Sequence, residues 1–147
     1  MGQQQLLLIL LVTIIVGIAT VVAINTFSAS FTQSNKDSVR SDLALLASSA
    51  QSYYLKPNML GGGGNSFNGF TFHKVTFPAD EITADGLHAR NANGIYHIHG
   101  ATDEEINVYG EPIYEIDSTV DINTLVSDSD YFDVTITQDS IAWVHTY

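Results

Sequence analysis

The chain begins with a long run of apolar residues. Residues 6–24 read LLLILLVTIIVGIATVVAI, in which 16 of the 19 positions are aliphatic and none is charged. An α-helix of this length measures about 28 Å, close to the roughly 30 Å hydrocarbon core of a bilayer. Because such a helix is apolar on every side, it needs either lipid or protein around it.

The helical pattern continues beyond this apolar segment, and its character changes twice. Residues 25–35 (NTFSASFTQSN) are polar but uncharged. A stripe typical of an amphipathic helix on a core follows, formed by Val39, Leu43, Leu46, Ala50 and Tyr53 or Tyr54. No proline precedes Pro57. We therefore expect one helix from about residue 4 to residue 55, roughly 75 Å long, whose first half projects from the fold. Alternatively, Ser34 or Asn35 could cap a second helix.

The rest of the chain predicts a loop and then a β-rich head. Residues 61–66 (GGGGNS) indicate a flexible joint or a packed loop, which Phe67 and Phe70 are expected to hold against the helix. Short strands are predicted at 70–77, 95–99, 106–109, 113–116, 119–125, 131–137 and 140–147. Gln138-Asp139 predicts a hairpin turn, and residues 78–90 predict turns with at most one helical turn.

These elements predict an α+β fold, in which a C-terminal antiparallel sheet packs on the second half of a long N-terminal helix. The helix would occupy residues 1–57, with a membrane or filament-core part at 1–27 and an amphipathic part at 28–57. Residues 58–69 would form the glycine-rich joint, and residues 70–147 the globular head.

Charge is distributed unevenly along the chain. Residues 1–35 carry none, residues 36–90 carry five bases and five acids, and residues 91–147 carry eleven acids and no base, which accounts for the net charge of −11. Binding to nucleic acid through charge is not expected, because the chain has no basic patch. The chain has no cysteine, so it cannot form a disulfide, a cysteine zinc site or a cysteine nucleophile.

Two groups of residues are weak candidates for metal binding. His97 and His99 project from the same face of a predicted strand. Asp128, Asp130 and Asp133 form a carboxylate cluster of the kind that suits Ca²⁺, and Asp103-Glu104-Glu105 forms another, but neither matches an EF-hand loop. We expect instead that the two histidines are exposed polar residues on a strand and that the acidic clusters are solvated turns. We expect no cofactor. Calcium bridging within or between subunits remains a minor hypothesis.

Nothing in the sequence indicates catalysis. The glycine run lacks the Gly-Lys-Ser/Thr of a phosphate-binding loop, and no serine lies in a G-x-S-x-G context. We expect that the protein is not an enzyme.

Three interpretations of the apolar segment compete. A cleaved secretory signal is disfavoured, because residues 1–5 (MGQQQ) carry no positive charge and the apolar run is longer than usual. A membrane anchor usually meets charges or an aromatic belt at the interface. Here about ten uncharged residues follow, a pattern that favours burial inside a protein assembly.

The apolar N-terminal helix, its amphipathic continuation, the glycine-rich loop and the small β-rich head together resemble the bacterial type IV pilins and type II secretion pseudopilins. In sequence, the resemblance lies mainly in residues 3–27, in Asp42-Leu43-Ala44-Leu45-Leu46-Ala47 and in Gln51-Ser52-Tyr53-Tyr54. It implies a homo-oligomeric helical polymer, held in the cell membrane before assembly and extracted by inner-membrane assembly machinery into an extracellular surface filament. Adhesion, motility, secretion and uptake all use this architecture.

The resemblance also implies roles for particular residues. Met1, Gly2 and Gln5 would form the N-terminal amine and processing region, and helix would be lost locally at Gly17 in the filament. The filament-core contacts would come from Leu6, Leu7, Leu8, Ile9, Leu10, Leu11, Val12, Ile14, Ile15, Val16, Ile18, Val21, Val22, Ile24 and Phe27.

The chain departs from the family pattern at three points. Gln5 stands where many mature pilins have a glutamate, so it can hydrogen-bond an amine but cannot neutralise it. No leader ending in glycine before an apolar residue is visible. It is either removed upstream of Met1, or Met1-Gly2 is a vestigial leader. The disulfide found near the C-terminus of many pilins is missing. The alternative function is a single-span anchored protein with an extracytoplasmic binding or sensor domain.

Overall fold

A computed structural model describes residues 2–113, 121–123 and 131–145 of the chain. One helix, α1, covers Gly2–Leu55 without interruption. Six strands follow: β1 (Glu81–Ile82), β2 (His88–Arg90), β3 (Gly94–Ala101), β4 (Glu105–Pro112), β5 (Phe132–Thr137) and β6 (Ile141–His145). Contacts divide the chain into an N-terminal unit, Met1–Ser34, and a C-terminal unit, Asn35–Tyr147.

The six strands form a single antiparallel sheet whose spatial order is the order of the chain. Each strand therefore pairs with its sequence neighbours, as in a meander. The sheet follows the helix, which confirms the predicted α+β class. Gln138-Asp139 connects β5 to β6, and the amide of Thr137 donates to the carbonyl of Ser140 at 2.9 Å, so the predicted hairpin turn is confirmed.

The core of the C-terminal unit lies between the second part of α1 and one face of the sheet. The helix contributes the predicted stripe together with Ala47, all of it buried. The sheet contributes alternate residues of β3, β4 and β5, which include Tyr96, Ile98, Ile106, Val108, Phe132, Val134 and Ile136. Burying a large apolar side chain contributes roughly 1.5–3 kcal/mol, so this contact is the main source of stability in the unit.

A glycine in the sheet allows the helix to approach closely. Gly110 lies on β4 beneath the helix, and a β-carbon built there would lie 2.8 Å from Cδ1 of Leu43 and 3.1 Å from Cγ1 of Val39. A side chain at this position would force Leu43 and Val39 to shift from their present packing. The absence of a side chain on Gly110 therefore favours close packing of the stripe on the sheet.

The glycine-rich loop caps the end of α1. The amide of Gly63 donates to the carbonyl of Tyr53 at 2.8 Å, and the amide of Gly64 donates to the carbonyl of Lys56 at 2.9 Å. These donors satisfy carbonyls that the last turn of a helix leaves without partners. Phe67 and Phe70 are buried against Tyr54 and Tyr53, with ring centroids 4.7 and 5.3 Å apart. The loop is therefore packed, which confirms one of the two predictions for this segment.

Three predictions of local structure need correction. Residues 70–77 form no strand and contain a 3₁₀ turn at Phe72–Lys74, because Phe70, Phe72 and Phe77 all turn into the core. Residues 78–90, predicted as turns, contain β1 and β2. Their connection is stabilised by Asp85, whose carboxylate accepts from the Thr83 hydroxyl and the Leu87 amide.

The third correction concerns residues 121–123, which form a turn instead of a strand and bury Ile122 against Ile95 on the outer face of the sheet. Ile113 likewise lies in a turn just after β4. The rest of the strands predicted at 113–116 and 119–125, and the last two residues of 140–147, lie outside the described residues.

We predict that Gly110→Ala lowers the free energy of unfolding of the C-terminal unit by about 1–3 kcal/mol, because the added methyl group overpacks the contact with Leu43 and Val39. Urea unfolding of the full chain in a mild detergent, followed by near-ultraviolet circular dichroism, measures this. Gly100→Ala is the matched control, because a β-carbon there meets nothing within 4 Å. Equal losses for the two variants would contradict the prediction.

Candidate functional site

The apolar segment of α1 is exposed along its whole length. All fifteen residues proposed as filament-core contacts are exposed, with fractional exposures between 48% at Val12 and 74% at Phe27. Soluble monomers rarely leave a continuous apolar surface of this size uncovered. By length and composition the helix is also suited to cross a membrane. The segment is therefore compatible with membrane association and requires a covering of lipid or protein.

Three threonine hydroxyls within and just after this segment are satisfied by the helix itself. The hydroxyl of Thr13 donates to the carbonyl of Leu10 at 2.8 Å, Thr20 to that of Val16 at 2.8 Å, and Thr26 to that of Val22 at 2.9 Å. An unpaired hydroxyl is costly in an apolar environment, whereas a hydroxyl bonded to a carbonyl one turn earlier is tolerated. The segment can therefore be buried while each of these hydroxyl donors keeps its carbonyl acceptor.

The remaining residues with predicted roles in this part of the chain lie within α1. Gly2, Gln5 and Gly17 are all helical and exposed, and Met1 lies outside the described residues. The loss of helix expected at Gly17 concerns the assembled filament and stays a prediction.

A row of histidine and tyrosine side chains crosses the outer face of the sheet. His88 on β2, His97 on β3 and Tyr109 on β4 are partners in strand register. The His88 and His97 rings stack with centroids 4.1 Å apart. A bulge in β3 displaces His99, whose ring centroid lies 6.1 Å from that of His97 and 5.2 Å from that of Tyr109.

Burial, followed by the neighbouring His88 and His99, lowers the pKa of His97 to about 4, against an opposing effect of Asp85. His97 is therefore neutral at physiological pH. Burial, followed by the charge of Asp133 on β5, raises the pKa of Tyr109.

The candidate metal ligands do not converge. His97 and His99 are neighbours, and Asp133 lies beyond Tyr109 on the next strand, while Asp128 and Asp130 lie outside the described residues. Within the described parts of the chain, no three histidine or acidic side chains are placed to hold one metal ion. His88 was missed at the sequence level because β2 was not predicted, and the strand register alone brings it to His97.

A second polar group joins the helix to the sheet. One carboxylate oxygen of Asp42, on α1, accepts hydrogen bonds from the side-chain amides of Asn91 and Asn93, each at 2.8 Å, and from the hydroxyl of Tyr96 at 2.6 Å. Burial, and then the hydrogen bond to Asp42, raises the pKa of Tyr96. Asp42 was not predicted to have a structural role, although it is an acid beside the apolar stripe of the helix.

Comparison of the chain with protein-family models, with curated proteins and with solved structures finds no match. Function is therefore inferred from the residues themselves.

We predict that Asp42→Ala lowers the free energy of unfolding by about 2–3 kcal/mol, because three donors on the sheet lose their charged acceptor. Asp37→Ala on the same helix is the control. Its carboxylate is 60% exposed and lies 3.5 Å from Arg40, so we expect a loss of no more than about 1 kcal/mol. Urea unfolding of both variants compares the losses, and equal values would contradict a special role for Asp42.

We predict that His97 makes the protein less stable in mild acid. The unfolded chain protonates this histidine near pH 6.5, whereas the folded chain does so only near pH 4. Between these values the unfolded state binds more protons, so the free energy of unfolding falls as the pH is lowered. Discounted for partial exposure, the loss from pH 7 to pH 5 is about 1 kcal/mol. His97→Gln should flatten the curve by this amount, and an unchanged curve would contradict the assignment.

Proposed function

We propose that the protein is a structural subunit of an extracellular, type IV pilus-like filament that polymerises through the apolar segment of α1. The observation that carries this proposal is the exposed, charge-free helix, continuous in sequence with a separate folded unit. Such a helix has no use in a soluble monomer. In a polymer, the same segments of many copies would cover one another.

The length of the charge-free region favours a filament over a simple anchor. Residues 1–35 contain no Asp, Glu, Lys or Arg, and as a helix they measure about 52 Å. A bilayer with its headgroups is only about 40–45 Å thick. A membrane anchor therefore gains nothing from excluding charge in the last helical turns of this region, which lie beyond the bilayer. A filament core does gain from it, because an unpaired buried charge is costly.

The energetics of assembly depend on the two environments of the apolar segment, which are the lipid of the membrane and the protein core of the filament. Apolar side chains gain little on moving from lipid to protein, because lipid tails are as apolar as the side chains. Extraction from the membrane would therefore need assembly machinery and an energy source. Once in water, the filament would be very stable, since exposing each large apolar side chain costs roughly 1.5–3 kcal/mol. The subunit would thus reside in the cell membrane first and at the extracellular surface afterwards.

The acidic part of the chain fits the outside of such a filament. Eleven acids and no bases lie in residues 91–147, and repetition along a polymer would make the surface strongly anionic. The second candidate function is a membrane-anchored binding or sensor protein, and the observation in its favour is that the helix could cross a membrane.

We predict that shearing cells that produce the protein releases it in long fibres, visible by negative-stain electron microscopy and labelled by an antibody against residues 70–147. An anchored monomer would instead remain with the membranes and be extracted only by detergent. Recovery of the chain only from the detergent extract would contradict the filament.

We predict that Ser30→Glu reduces the yield of sheared fibres by at least about tenfold, because it places an unpaired charge in a buried assembly segment. Gln138→Glu is the matched control, since it adds the same group to an exposed turn, and we expect it to leave the yield unchanged. An anchored protein would tolerate both changes. Equal fibre yields would therefore argue against burial of residues 25–35.

A further inference from the structure

A polar groove lies between the second part of α1 and the 3₁₀ turn of residues 72–74. It encloses about 300 Å³ and is open to solvent. Its polar lining consists of hydroxyl and ammonium groups from Ser48, Ser49, Ser52, Thr76, Lys56 and Lys74. None of the described residues that line this lysine groove carries a carboxylate, so they offer hydrogen-bond donors and positive charge but no negative charge.

The two ammonium groups in the groove are placed for a ligand from outside. The Lys74 ammonium donates to the carbonyl of Gly69 at 2.5 Å and lies 5.7 Å from the centroid of the Tyr53 ring, so its position is held. The structure gives neither Lys56 nor Lys74 a carboxylate partner among the described residues. Two of the five bases of a chain with net charge −11 are thus gathered in one groove.

Exposed carboxylates, which could pair with the groove lysines, occur elsewhere on the same chain. Glu104, Asp121 and Asp139 belong to the acidic region of residues 91–147 and are exposed. They lie on turns of the C-terminal unit and outside the groove. Each copy of the chain therefore presents both a cationic groove and anionic turns.

Three large apolar side chains close to Lys56 in the sequence are uncovered. Leu55, Met59 and Leu60, on either side of Lys56 in the sequence, are 66%, 99% and 67% exposed. Large apolar side chains next to a cationic site are typical of a contact surface, in which apolar groups supply burial and charges set the orientation.

We propose that the lysine groove receives an exposed carboxylate from residues 91–147 of a second copy of the chain. The groove and the acidic turns are different surfaces, so the contact is head-to-tail, and a head-to-tail contact that does not close generates an open helical polymer. A second copy is favoured over a free anion, because a polymer holds the two surfaces together at high effective concentration. This inference rests on the proposed filament.

Zero-length cross-linking tests the contact directly. Filaments assembled from equal amounts of ¹⁴N- and ¹⁵N-labelled chains are treated with a water-soluble carbodiimide, digested and analysed by mass spectrometry. We expect mixed-label peptide pairs that join Lys56 or Lys74 to an acid in residues 91–147. Lys36, the third lysine of the chain, is the internal control and should give no such pairs.

Charge variants provide a second measurement. Lys56→Arg keeps the positive charge but removes the primary amine, so the Lys56 cross-link should disappear while the Lys74 cross-link remains. Lys56→Glu should reduce fibre yield roughly tenfold. Fibres with normal yield in Lys56→Glu, or cross-links from both groove lysines that are only single-label, would overturn the inference. Absence of wild-type fibres would overturn the proposed filament as well, so the two failures are distinguishable.

Discussion

The contact between the stripe of α1 and the inner face of the sheet is the interaction on which the rest of the fold depends. Among the described residues, the helix and the buried phenylalanines of residues 67–77 cover that face, and the buried residues of the helix all lie between Val39 and Tyr53. The contact is close because β4 has Gly110 under Leu43 and because the helix presents Ala47 and Ala50. Small residues on both sides bring the backbones together, and larger ones around them fill the core.

Apolar packing alone would allow the helix to rotate or slide on the sheet, and Asp42 supplies the missing specificity. Its carboxylate is satisfied only when the Asn91–Asn93 turn and Tyr96 lie beside it. A shift of one residue along the helix would separate the Asp42 carboxylate from the buried Tyr96 hydroxyl. Both groups would then lose a hydrogen-bond partner. Partly buried polar networks are weak sources of net stability but strong selectors of one arrangement. We therefore read this group as fixing the register between helix and sheet.

The parts of the fold that sequence could predict are those with a repeated local signal. The stripe from Val39 to Tyr53 has a helical period, and β5 alternates at period two, so both were predicted. Residues 70–77 also look like a strand, but their phenylalanines are used to fill the core at the helix end. The hairpin of β1 and β2 was missed because its strands have only two and three residues. The pairing of His88 with His97, and of Asp42 with Tyr96, depends on tertiary contacts that no local pattern encodes.

The buried core and the exposed apolar segment lie in different parts of the chain. The buried core consists of residues from the C-terminal unit alone, and residues 2–31 are all exposed. The stability of that core is therefore independent of whether the apolar segment lies in lipid or in protein. If transfer of the segment between those environments gains little, it cannot by itself give assembly a direction. In the proposed filament, contacts between C-terminal units, formed only after extraction, would then supply the free energy that favours the polymer, which is why a cationic groove on a chain of net charge −11 matters.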